Sequence, residues 1–418
     1  MKNFTHPLTS REDILRLLLE HSRFQPRVET IPVRASLGRI TAFGITALNT
    51  LPNSPSSQMD GIAIKSANLG TGLAIDLTSP GDKIPGIGNW HEGREYVFSN
   101  TGVGIPEGFD TVVPIEAVEI DPRGRLSINQ KPTPGQNVIP PGSMIQTGEV
   151  LVPANFQLGP AQLALLAAGG RREITVRAKP RVAIIPTGNE LVPAGSPLPQ
   201  GKNVEFNGIM IEAQVAAMGA EARLYPITPD NPEDIRRVLE DALAWADIVI
   251  LNGGSSKGTD DRALEVLASI GQILVYEGDF GPGKHTTVTM AGTKPIIGTV
   301  GPTIGAEYGV EWFVKPLINK YLSIPTAAPE VLAVELLDDI AAPMPFDFYI
   351  RLEVQQLDGA LVAQPVPVRG AGLVRQMMAN AVLRVPGPIK GFKAGETVEV
   401  ELRQPRAGIS TALSPAVK

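Results

Sequence analysis

The stretch Asp247-Ile-Val-Ile-Leu-Asn-Gly-Gly-Ser-Ser-Lys-Gly-Thr-Asp-Asp261 compresses a strand pattern, a glycine-rich turn and a pair of carboxylates into one short run. Residues 248–251 are apolar without alternation, the pattern of a strand covered on both faces in a parallel sheet. The strand cannot continue beyond them. Gly253, Gly254 and Gly258 permit backbone conformations closed to other residues, so successive N–H groups can converge on an oxyanion, with the Ser255 and Ser256 hydroxyls beside them. Asp260 and Asp261 then open a helix at Arg262, where a carboxylate can cap the helix or hold a divalent cation beside a phosphate. An ordinary strand-to-helix turn capped by Asp260 accounts for the same residues. What favours a ligand is that other loops are expected at the same edge.

Outward from this stretch the chain alternates strand and helix. Residues 182–186 read as a strand and 208–218 as a helix stopped by Gly219. Residues 221–227 form a second strand, and a further helix is capped by Asn231 with Pro232 at its first position. The pattern predicts a doubly wound α/β domain whose ligand lies outside the carboxyl ends of the strands. Three loops meet there: Thr187-Gly188-Asn189-Glu190, Thr228-Pro229-Asp230 and the glycine-rich turn. Earlier, residues 10–22 read as an amphipathic helix capped by Ser10 or Thr9, with Ile14, Leu17, Leu18 and Leu19 as its stripe. Residues 33–45 look strand-like. Short β runs broken by Gly and Pro, such as Thr111-Val-Val-Pro-Ile, follow to about residue 129 and have the texture of a small β domain. Residues 159–169 predict another helix, and after Pro325 the pattern returns to β.

With 418 residues the chain should hold two to four domains. Apolar content of 43% and charged content of 19% describe a globular protein; no apolar run approaches a membrane span, and cytoplasm is the expected compartment. The absence of cysteine excludes disulfides, thiolate chemistry and cysteine-zinc sites, and the four scattered histidines argue against a histidine metal centre. A net charge of −6 gives no global attraction for nucleic acid, so an anionic ligand has to be held by local groups.

Met59-Asp-Gly-Ile-Ala, Thr101-Gly, Pro106-Glu-Gly-Phe-Asp-Thr-Val-Val, Thr187-Gly-Asn-Glu-Leu and Gly253-Gly-Ser-Ser-Lys-Gly-Thr-Asp-Asp261 occur in the order seen in molybdopterin molybdenumtransferases. Each motif is weak alone, but their order and spacing over nearly the whole chain resemble the MoeA and gephyrin E-domain group. The resemblance implies four domains. An elongated domain would be built from residues 1–50 and 130–178, with an inserted β domain at 51–129. A molybdopterin-binding α/β domain at 179–325 and a C-terminal β-barrel at 326–418 would follow. It also implies a homodimer with shared sites, and insertion of molybdate into adenylylated molybdopterin with release of AMP, assisted by Mg2+. By the same resemblance, Glu190, Asp230 and Asp261 hold the metal and line the nucleotide side. Ser256, Gly253, Gly254 and Gly258, with Thr187, Gly188, Lys284 and Arg351, bind the ligand; Asp60 and Thr101 complete the neighbouring subunit's catalytic site.

Each residue also has a plain structural reading. Asp60-Gly61 is a common turn pair, the Thr101 hydroxyl can bond to local backbone, a loop lysine such as Lys284 is usually solvated, and a lone histidine such as His285 is more often structural. The chain departs from the family pattern at residues 137–144, where an arginine and an acidic pair are missing, and at 281–285, where one of two lysines remains. It departs again at 299–303, which read Thr-Val-Gly-Pro-Thr, and at 370–372, where a hydroxyl is gone. Charge-assisted contacts of the kind lost are worth about 1.5–3 kcal/mol each. These departures keep an alternative open: a paralogue that binds molybdopterin or a nucleotide as a sensor, carrier or scaffold.

Overall fold

The computed structural model describes residues 8–68, 75–76, 96–120, 125–128, 132–253, 262–342, 344–367, 372–387, 389–403 and 409. The chain forms two compact units, Met1–Arg27 with Ala178–Lys418, and Val28–Arg177.

The first unit is organised around the strand Ile248–Asn252, which is buried along its whole length. It lies in a six-stranded sheet ordered Glu221–Leu224, Arg181–Pro186, Ile248–Asn252, Lys294–Thr299, Thr287–Ala291, Gln272–Val275. The first four strands are parallel, Thr287–Ala291 runs against them, and Gln272–Val275 pairs antiparallel with Thr287–Ala291. Ala183, Ile185, Val249 and Leu251 pack against Ile235 and Leu239 of the helix Pro232–Trp245 and against Val266 and Leu267 of Arg262–Ile270. The helix Asn207–Ala217 contacts Arg181–Pro186 and Glu221–Leu224 but has no residue in that cluster, so both faces of the sheet are covered. This is the doubly wound arrangement that unbroken apolar strands require. Asn231 caps Pro232–Trp245 by accepting from the Asp234 N–H at 2.9 Å, as Asn-Pro at a helix start predicts. The helix Arg11–His21, capped by Ser10, buries Ile14 and Leu18 and packs on Lys315–Leu322.

Beyond residue 330 five strands close on themselves in the order Asp347–Leu357, Ala360–Pro365, Val331–Leu336, Thr397–Leu402, Ala381–Val385, the last pairing back with the first. Val331–Leu336 alternates exposed and buried residues, the signature of a strand with one face in a barrel core.

In the second unit Gly61–Ile64 is the middle strand between Tyr96–Ser99 and Thr111–Pro114, with Ile62, Ile64, Tyr96 and Val113 in one core cluster and Ala63, Ile105 and Val112 in another. The expected helix at 159–169 is Pro160–Ala168. The expectation of a strand over 33–45 fails. Val28–Pro32 pairs with Glu173–Arg177, a short 3-10 turn takes Val33–Ala35, and only Ile45–Thr46 returns to strand. Ser36 closes the turn onto the Val33 carbonyl and Gly38 takes φ +74°, so local polar bonding overrides the apolar run. No helix among the described residues is long and apolar enough to cross a membrane.

Candidate functional site

The parallel strands deliver their carboxyl ends to one edge of the sheet. The Thr187 N–H donates to the Asn252 carbonyl at 2.8 Å and Thr187 bridges Thr228, so the loops that begin at Thr187 and Thr228 lie side by side next to the end of the Ile248–Asn252 strand. Asn189 and Asp230 then bind each other reciprocally. The Asn189 N–H donates to Asp230 Oδ2 at 3.0 Å, and the Asp230 N–H donates to Asn189 Oδ1 at 3.2 Å. Asp230 Oδ1 is buried and has no hydrogen-bond partner among the described residues. Glu190 is exposed, and its carboxylate lies over Gly188, where an added Cβ would meet both oxygens at 2.8 Å. Lys202 brings a cation to the same loop, its Nζ donating to the Asn189 carbonyl at 2.7 Å.

Several predicted ligand groups are already engaged. The Gly188 N–H donates to the Thr228 carbonyl at 3.2 Å and the Gly253 N–H to the Thr299 carbonyl at 3.0 Å, so neither amide is open to a phosphate. Thr187 is buried, with its hydroxyl 3.4 Å from the Asn252 carbonyl. Gly253 is nonetheless irreplaceable on geometric grounds: it takes φ +97°, and a Cβ there would sit 2.4 Å from the Thr187 carbonyl oxygen. Gly254, Ser256, Gly258 and Asp261 lie outside the described residues, as do Gly370 and Ala371.

Arg351 is only 2% exposed, and its guanidinium is directed into the interior. Nη2 lies 2.6 Å from Glu307 Oε2 and Nη1 donates to the Gln376 carbonyl at 2.7 Å. Arg403 binds the other Glu307 oxygen. Lys284 lies in the loop leading to Thr287–Ala291, 3.8 Å from Glu277 Oε2 and over the Phe346 ring, and His285 Nδ1 sits 2.9 Å from Glu277 Oε1. In the second unit Asp60 and Thr101 form a single hydrogen-bonded element. Asp60 Oδ1 accepts from the Thr101 N–H at 2.7 Å and from its hydroxyl at 3.0 Å, and these bonds hold the exposed Asp60 carboxyl below the usual range.

Sequence reasoning passed over Asn252 and Asn207. Asn252, 4% exposed, donates to Thr299 Oγ1 at 3.1 Å and to the Val300 carbonyl at 2.8 Å, and its Oδ1 accepts from Asn207 Nδ2 at 3.2 Å. Asn207 Nδ2 also donates to the Gly301 carbonyl at 2.8 Å. This clasp holds the divergent 299–303 loop against the start of the glycine-rich turn. Its signal was an amide at the end of an unbroken apolar strand, where a polar side chain is tolerated only if fully bonded.

Residues 9–170 match a model of the MoeA N-terminal region (domain I and II), 183–320 a probable molybdopterin binding domain, and 333–402 the MoeA C-terminal region (domain IV). A molybdopterin molybdenumtransferase of Staphylococcus epidermidis is 30% identical over 406 residues, covering 95% of this chain and 96% of that one. The chain belongs to the MoeA family. A relative of the same name in Staphylococcus aureus is 29% identical over 412 residues, 96% of each chain. Two crystal structures of the MoeA protein of Pyrococcus horikoshii share the fold. Their TM-scores are 0.77 and 0.72, each at 24% identity, over 96% and 95% of this chain and 100% of theirs. The family match runs through all four places where the sequence departs from the expected motifs.

Among the described residues no group of three or more acidic or histidine side chains is arranged to hold a metal. Asp230 carries a buried oxygen unpartnered among the described residues and Glu190 a second carboxylate on the adjoining loop, while Lys284 and Arg351 are paired elsewhere.

Proposed function

We propose that the protein acts in molybdenum-cofactor biosynthesis as a molybdopterin molybdenumtransferase, inserting molybdate into adenylylated molybdopterin with release of AMP. The observation that carries this reading is the match along 95% of the chain to a relative of that name. The same match disfavours the binding-only alternative, because the departures at 137–144, 281–285 and 299–303 fall inside regions that still fit the family models.

A pyrophosphate-linked pterin is strongly anionic, whereas the described edge presents Glu190 and Asp230 with Lys202 as a cation. Two carboxylates beside a phosphate are repulsive unless a divalent cation lies between them. Magnesium held by Glu190, Asp230 and Asp261 would offset the phosphate charge when bound. The chain's own contribution is orientation. The Asn189–Asp230 pair fixes one loop, the Asn252 clasp fixes the next, and Lys202 holds the carbonyl that follows the Thr187 turn. No covalent protein intermediate is needed. The protein would work as a homodimer, with Asp60 and Thr101 reaching the partner's site, Asp60 remaining ionised at neutral pH because Thr101 holds its charge.

Purified protein incubated with adenylylated molybdopterin, magnesium and molybdate should release AMP in a molybdate-dependent manner, and Asp230→Ala should remove most of that release. Tight binding without molybdate-dependent AMP release would overturn the transferase reading in favour of a binding protein.

A further inference from the structure

The ribbon that follows the Thr187 turn sets one lysine against the ligand edge. Leu191–Pro193 pairs in parallel with Asn203–Glu205, and Lys202 stands at the entry to the second of these strands. Its main chain is fixed on both sides. The Lys202 N–H donates to the Pro199 carbonyl at 3.1 Å, and the Asn203 N–H donates to the Glu190 carbonyl at 2.8 Å. From that base the side chain reaches back across the ribbon to put Nζ 2.7 Å from the Asn189 carbonyl. An exposed lysine is usually left to water; this one is held at both ends.

The charges around it are distributed unevenly. The ammonium is bonded to the residue that precedes Glu190 and that pairs with Asp230, yet among the described residues it forms an ion pair with neither carboxylate. Glu190 is turned over Gly188, and Asp230 Oδ2 takes the Asn189 N–H. A carbonyl occupies one of the three ammonium donors and neutralises none of its charge. The basic side chains expected at the ligand are spent elsewhere: Glu277 faces Lys284, and Glu307 holds Arg351.

Glu190, Asp230 and Asp261 with a single divalent cation remain net negative, and each ionised phosphate of a diphosphate adds another negative charge. Without a further cation the edge would repel such a ligand. A lysine ammonium can keep the Asn189 carbonyl and still direct its remaining donors at a phosphate oxygen.

We propose that Lys202 is a substrate-binding residue, donating to a phosphate of the ligand while it stays on the Asn189 carbonyl. The proposal rests on the transferase reading, which brings a ligand with phosphates to this edge.

Full-length protein with magnesium is titrated with AMP and with adenosine, in wild type, Lys202→Ala, Lys202→Gln and Lys202→Arg. Glutamine keeps a donor for the Asn189 carbonyl without the charge, and arginine keeps both. The residue is exposed, so none of the three changes disturbs the core. AMP affinity should fall about tenfold in Lys202→Ala and Lys202→Gln and stay within about threefold of wild type in Lys202→Arg, with adenosine binding unchanged throughout. Unchanged AMP affinity in Lys202→Ala, a loss confined to Lys202→Ala, or an equal loss for adenosine makes Lys202 a fastener of the loop alone and overturns the proposal. Failure of AMP to bind wild type at millimolar concentration overturns it too. AMP release from adenylylated molybdopterin keeps the two readings apart. Release by wild type with an unchanged KM in Lys202→Gln defeats the role of Lys202 and leaves the transferase standing; a wild type that binds AMP through Lys202 but releases none from the substrate defeats the transferase alone.

Discussion

Asp60 keeps its charge because one neighbour, Thr101, supplies both of the hydrogen bonds to Oδ1. The backbone bond is the larger cause of its lowered pKa and the hydroxyl the second. A carboxyl whose folded pKa lies below its unfolded value contributes stability above the unfolded pKa and loses it as pH falls through the folded one. The window therefore lies at and below about pH 4. A carbon-detected NMR titration should find the Asp60 midpoint below the ordinary value, and Thr101→Val should raise it only part of the way, because the N–H donor remains. Asn252 is the more consequential single residue for the fold. Asn252→Ala strands Thr299 Oγ1 and the Val300 carbonyl and leaves the Asn207 amide with the Gly301 carbonyl alone, at a cost of about 1–3 kcal/mol in denaturant unfolding. It should also raise KM by loosening the 299–303 loop. At this scale the sequence pointed to loops and to residue types, and the structure adds the bonds between them, Asp230 to Asn189 and Asp60 to Thr101. What the sequence does not carry is the partner that tertiary packing chooses, Glu307 for Arg351, 44 positions away, and Glu277 for Lys284.

Helices and strands longer than one turn or ribbon followed their patterns closely. The apolar 248–251 run, the Asn231-Pro232 helix start and the alternation of Val331–Leu336 all became the elements expected of them. Short pieces did not, as the 33–45 segment shows, since two or three hydrogen bonds from a serine and a positive-φ glycine outweigh weak strand preference. One contact between elements has a measurable weight. Glu307, on the helix Thr303–Gly309, binds Arg351 of a barrel strand and Arg403 just past another, and both Glu307 and Arg351 are nearly inaccessible. Removing the carboxylate leaves Arg351 buried and unpaired, so Glu307→Ala should cost about 3–5 kcal/mol. Replacing Arg351 with Met should cost less, as it removes the buried charge instead of exposing it to an apolar setting. Thermal unfolding of the two variants gives the comparison, and equal losses would contradict this account.

For the molecule as a whole, the proposed sharing of sites between subunits makes a test independent of any single contact. Chains carrying Asp60→Ala and chains carrying Asp230→Ala should each be nearly inactive. Co-expressed, they should recover about a quarter of wild-type turnover, since half the dimers are mixed and each mixed dimer holds one intact site. No recovery in mixed dimers isolated by two affinity tags would place Asp60 and Asp230 in the same subunit's site.

The closure of the five-stranded barrel bears on how the chain is made. Thr397–Leu402 sits between Val331–Leu336 and Ala381–Val385, so the last of the five barrel strands in chain order joins the two edges left open by the other four. Until it emerges, both neighbours offer free backbone donors and acceptors to any passing strand. A chain stopped at residue 396 should therefore be recovered largely as aggregate in light scattering and sedimentation. Supplying residues 397–402 as a separate peptide during refolding should restore solubility, because the vacancy in the barrel has the shape of that one strand.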